Sequence, residues 1–91
     1  MASVVLTDYL KYRARLRGFD LSVIEDIVRF SDERYFDSAT QRMVAVGRHG
    51  DLLVMVPYDH DTERETMTPV TVHPTTRQQI TFRVRTGRFR Q

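Results

Sequence analysis

The longest apolar run in the chain is Leu52–Pro57, and with Tyr58 it reads LLVMVPY. An extended segment with apolar residues at successive positions has two apolar faces, so it belongs in the centre of a sheet. Pro57 donates no ladder hydrogen bond and is expected at the end of this strand or at a bulge. Ninety-one residues have room for one modest core, so residues 1–91 are expected to form a single domain around that strand. The run falls far short of a membrane span. Cysteine is absent, which excludes disulfides and thiolate metal sites. The first residues carry no basic-then-apolar leader pattern, so a cytoplasmic location without a membrane partner is expected.

The flanking segments supply the other elements. Thr7 or Asp8 caps a helix that runs to about Arg17, where Gly18 stops it; Leu6, Leu10 and Ala14 form its apolar stripe. Asp20 or Ser22 opens a second helix to about Phe30, with Leu21, Ile24, Ile27 and Val28 as its core face. Strand patterns follow at Glu33–Asp37, Arg42–Arg48, Leu52–Tyr58 and Met67–His73, with a turn at 49–51 and an acidic loop at 59–66. Met43, Ala45 and Gly47 share one face, small enough for a helix to approach closely. The tail is open on its residues alone. Ile80, Phe82 and Val84 alternate as in a strand, while Thr75 with Gln78 matches a capping box and Gly87 a helix stop. The expected class is α+β: two N-terminal helices, a four-stranded antiparallel meander, and a C-terminal helix or fifth strand, with the helices on one side of the sheet.

Charge is divided along the chain. Residues 1–17 carry a net +3 and residues 66–91 a net +5 with no acid, whereas residues 18–65 hold five arginines against eleven acids. If the two basic ends meet, they form a surface suited to phosphates. Thirteen of the fourteen basic residues are arginine, whose fixed fork of donors suits phosphate oxygens.

The segments Tyr12–Gly18 (YRARLRG), Arg34–Gly47 (RYFDSATQRMVAVG) and Val70–Phe89 (VTVHPTTRQQITFRVRTGRF) carry a resemblance. Together they resemble small bacterial domains grouped with the BrnT and RelE ribonuclease toxins. The resemblance implies a RelE-like fold in which a helix follows the last strand. It also implies metal-independent cleavage of RNA and a partner antitoxin. Many relatives carry a histidine in the first helix; here that region reads Thr7–Leu10 (TDYL), with Tyr9 or Tyr12 nearest.

Metal-free RNA cleavage needs a proton carrier and positive charge on the phosphorane. His73 is the candidate general acid or base, with Arg77 and Arg83 on the phosphate. The alternative is that His73 and Thr71 bond to each other or to nearby backbone and close the sheet edge. Lys11, Arg13, Arg17, Arg85 and Arg88 are the candidate backbone contacts, and Tyr58 or Tyr35 the candidate base stackers. Arg34 and Arg42 are instead expected to pair with Asp37 or Glu33. No cofactor is expected, because the four glycines are isolated and form no phosphate loop. No metal is expected at Asp59-His60-Asp61, since that acidic loop lacks the glycine a calcium loop turns on.

Overall fold

The computed structural model describes residues 2–91. The chain runs β1 (Ser3–Val4), α1 (Asp8–Arg17), α2 (Leu21–Phe30), β2 (Glu33–Asp37), β3 (Arg42–His49), β4 (Leu52–Asp61), β5 (Thr66–Pro69), β6 (His73–Pro74), α3 (Arg77–Arg85) and β7 (Phe89–Arg90). Three helices and a mixed sheet of seven strands make the fold α+β. The sheet order is β1-β5-β4-β3-β2-β7, with β6 also paired to β4. β1 runs parallel to β5, and the other pairings are antiparallel.

Caps set the helices. The Thr7 hydroxyl accepts from the Leu10 amide, and Gly18 ends α1 at φ +74°, a left-handed position that glycine takes without strain. Asp20 caps α2 by accepting from the Ser22 amide. The ambiguous tail is helical. Its cap is Thr76, whose hydroxyl accepts from the Gln79 amide, one residue later than the expected Thr75. Thr75 is buried instead, and its hydroxyl donates to the Gln79 side chain.

The helices do not share one side of the sheet. Leu10, Ala14, Ile24, Ile27 and Val28 of α1 and α2 pack on Ala45, Val54, Val56, Tyr58 and Met67. Ile80 of α3 packs on the opposite face, with Tyr35, Val44, Val46, Leu53 and Phe89. The physical reason lies in β3 and β4. Both are apolar on two faces, so a layer on one side alone would leave Val44, Val46 and Leu53 in water. Gly47 lets α2 approach: a Cβ there would lie 2.8 Å from Ile27 Cγ1.

Two strands differ from expectation for one reason. β4 extends to Asp61 and carries Pro57 in its middle, opposite Val44. The expected strand 67–73 is split into β5 and β6, which pair with the two halves of β4. Pro57 has no amide hydrogen to offer at that break, and its carbonyl accepts from the Val70 amide. The ladder is interrupted where a donor is missing, and the chain re-enters at His73. β1 and β7, each of two residues, fall outside every expected strand.

Candidate functional site

The split edge strand positions His73. It leaves the core at Val72, which is fully buried, and half-exposes the imidazole at the edge of the sheet. Arg17, in the last turn of α1, reaches this point from one side. Its Nη1 donates to the Val72 carbonyl at 3.0 Å and to His73 Nδ1 at 3.1 Å. A guanidinium has only donors, so Nδ1 must accept, and the ring is the neutral tautomer with its proton on Nε2. Burial and the charges of Arg17, Arg13 and Arg83 together hold the His73 pKa below the ordinary imidazole value.

Those arginines come from both faces of the sheet, Arg13 and Arg17 from α1 and Arg83 from α3. Among the described residues, the buried side-chain polar atoms without a hydrogen-bond partner are Arg13 Nε, Thr71 Oγ1 and Arg83 Nη1. Each belongs to a residue that acts on His73 or lies two positions before it. Buried donors are normally paired, and unpaired ones mark a place where a ligand oxygen or a water belongs. An anion beside Arg17 and Arg13 would offset the positive charge there; the Arg83 guanidinium lies over the Phe89 ring, its carbon 5.6 Å from the ring centroid. Among the described residues Thr71 Oγ1 has no partner and the His73 ring meets Arg17, so these side chains bond neither to each other nor to nearby backbone.

The other sequence candidates are placed elsewhere. Arg77 donates to Glu33 at 2.7 Å and is thereby tied to β2. Arg88 is bidentate on Asp37, at 3.1 and 3.2 Å. These two arginines hold α3 and β7 onto the sheet and are occupied by carboxylates. Tyr58 is 3% exposed and its hydroxyl accepts from Arg34, so no base reaches its ring. Tyr35 is buried in a stack with Phe89. Lys11 and Arg85 are exposed, Lys11 on a different face of α1 from Arg13 and Arg17. Neither Arg42 nor Arg34 meets Asp37 or Glu33, which are taken by Arg88 and Arg77: Arg42 pairs with Asp59, and Arg34 donates to the Ser31 carbonyl and to Tyr58. Asp61 accepts from the Glu63 and Arg64 amides, so the acidic hairpin tip is organised by its own turn.

Sequence reasoning placed Tyr9 near the position of the relatives' histidine but did not count it among the candidate base stackers. It is 58% exposed on α1, with the Arg13 guanidinium carbon 5.9 Å from its ring centroid. The signal was its i, i+4 spacing to Arg13, which brings an exposed aromatic ring over an arginine of the site. Among the described residues no helix is long and apolar enough to cross a membrane. No protein-family model, curated protein or solved structure matches this chain.

Proposed function

We propose that the chain is an RNA-directed, toxin-like domain of RelE/BrnT-like fold whose site cleaves phosphodiesters without a metal, using His73, Arg17, Arg13 and Arg83. The observation that carries the reading is a neutral imidazole held by Arg17 beside guanidinium donors that have no partner. In the free protein Arg17 occupies Nδ1. An incoming phosphodiester offers Arg17 a stronger, charged acceptor. Arg17 then turns from the ring to the phosphate and frees the Nδ1 lone pair.

That nitrogen takes the 2′-hydroxyl proton as the 2′-oxygen attacks phosphorus. The 5′-oxygen leaves and takes a proton from solvent; the products are a 2′,3′-cyclic phosphate and a 5′-hydroxyl. Arg13, Arg17 and Arg83 neutralise the charge on the phosphorane. The imidazolium later returns its proton to solvent. The resemblance to toxins that are held inactive supports an antitoxin as the protein partner, one that would cover this basic edge.

The test is incubation of end-labelled single-stranded RNA with the protein in excess EDTA, beside His73→Ala and Arg17→Ala. Cleavage by the wild type alone is expected, with RNA still bound by His73→Ala. Equal cutting by His73→Ala would remove the imidazole from the mechanism. Salt-sensitive binding by all three proteins with no product, on free RNA and on ribosomes alike, would reduce the domain to a binding module.

A further inference from the structure

The basic edge explains how a phosphate is held but not which part of a nucleic acid lies beside it. α1 exposes a second, different surface next to Arg13. Tyr9 and Tyr12 are 58% and 57% exposed, and Leu16, one turn beyond Tyr12, is 65% exposed. Large apolar side chains on a helix that already buries Leu10 and Ala14 have no packing role on its outer side. Tyr9 is joined to the site by a physical contact: its ring lies over the Arg13 guanidinium, and the Nε of that same group is buried without a partner. One face of the Tyr9 ring meets the cation, and the exposure of the residue leaves the other available. A cation on one face and a flat conjugated ring on the other is how proteins hold an unpaired base. Charge decides the class of ligand. Lys11, Arg13, Arg15 and Arg17 surround these tyrosines, and Asp8 is the single acid of the helix.

We propose that Tyr9 is the stacking platform for an unpaired base adjoining the phosphate held at His73 and Arg17, so that the ligand is single-stranded rather than duplex RNA. This rests on the phosphodiester reading of the site and adds its strand selectivity. A base inside a duplex has both faces covered by its neighbours and has none to give Tyr9. The same ring accepts any of the four bases, so the contact selects strandedness without selecting sequence.

The experiment is calorimetric titration of inorganic phosphate and of adenosine 3′-phosphate into wild type, Tyr9→Ala, Tyr9→Phe and Arg17→Ala. Tyr9 is exposed, so none of its variants disturbs the core. The nucleotide should bind the wild type about tenfold tighter than phosphate. Tyr9→Ala should lose that advantage with its phosphate affinity within about twofold, and Tyr9→Phe should keep it, since stacking is a property of the ring. Equal affinities for phosphate and nucleotide in the wild type would overturn the stacking role and leave the phosphate site standing. Phosphate binding that is absent, or unchanged in Arg17→Ala, would remove the site and the platform together. Poly-glutamate bound in preference to the nucleotide, and lost in Tyr9→Ala, would overturn the proposal in favour of an acidic protein partner.

Discussion

A guanidinium that donates to an imidazole makes protonation of that ring difficult, because the proton would have to displace the donor and join a cationic cluster. Burial and the charges of Arg17, Arg13 and Arg83 act on His73 in the same direction. An NMR titration should therefore find His73 still neutral at a pH where an ordinary histidine is half protonated. Arg17→Ala should move its pKa upward, and so should saturating inorganic phosphate, which adds negative charge beside the ring. The consequence for stability has a definite sign. The unfolded chain takes up this proton first as the pH falls through about 6.5, so the neutral fold loses stability on acidification from there. An upward shift with phosphate in the wild type but not in Arg17→Ala would tie the anion to this cluster; no shift in either would detach it. Gly47 makes a second prediction at this scale. Gly47→Ala would drive a methyl group into Ile27, 2.8 Å away, and should cost about 1–3 kcal/mol in urea unfolding. In an Ile27→Ala background the same substitution should cost less, which a backbone effect at Gly47 would not allow. Gly47 was legible in the sequence as a small residue on a strand face. Tyr58 was misleading, because an aromatic residue that ends an apolar run looks the same whether its ring is buried or exposed.

Elements show where local pattern stops being informative. α1 and α2 were readable because each carries its own cap and stripe within the segment: Thr7 and Gly18 on one, Asp20 and the Ile24, Ile27, Val28 face on the other. The tail was not, because Ile80 and Val84 satisfy a helical period and a strand alternation together. What settles it is distant: Ile80 finds its core under β2, β3 and β4. The two-residue strands are illegible for the same reason, since no periodicity fits in two residues and their partners alone define them. Arg77 and Arg88 are the functional version of this limit. As sequence they belong to a basic tail, yet each meets a carboxylate on β2, 44 and 51 residues away. Asp37 is nearly buried. Burial alone would raise its pKa, but Arg88, the Ala39 amide and Thr40 outweigh that and hold it below the ordinary value. Arg88→Ala should thus lower stability by about 2 kcal/mol, less than for a wholly buried pair because the guanidinium is half exposed. Arg77→Ala should cost less, since its partner Glu33 keeps the Tyr35 hydroxyl. The Asp37 contribution is present above the unfolded carboxylate pKa and is lost as the pH falls through the lower folded one. Urea unfolding of both variants at pH 7 and pH 3 checks this: the Arg88→Ala penalty should shrink in acid, and a penalty that stays constant would mean that Arg88 acts through packing instead.

At the scale of the molecule, the charge division read from the sequence becomes a question of which charges act together. The basic ends sit on opposite faces of the sheet, α1 on one and α3 on the other, and a single flat surface through all nine of their basic residues is not what the fold makes. Charges from both ends are felt together at His73, where Arg17 is in contact and Arg13 and Arg83 add their field, although the Arg83 guanidinium itself lies over the Phe89 ring. Arg77 and Arg88 are neutralised on β2, and Arg90 turns its Nε to the Gly87 carbonyl. Binding to single-stranded RNA should report this count directly. Each phosphate neutralised adds about 0.7 to the slope of log affinity against log salt, so three converging arginines predict a slope of about −2. A surface that used every basic residue of both ends would give about −6 on the same rule. Arg17→Ala should flatten the slope by roughly one phosphate's share, while Arg88→Ala, whose charge is already spent on Asp37, should leave it unchanged. A steep wild-type slope that both substitutions reduce alike would mean diffuse attraction over the whole basic periphery. In that case the convergence at His73 would be a feature of the fold with no hand in recognition, and the reading of the edge as a phosphodiester site would lose its physical basis.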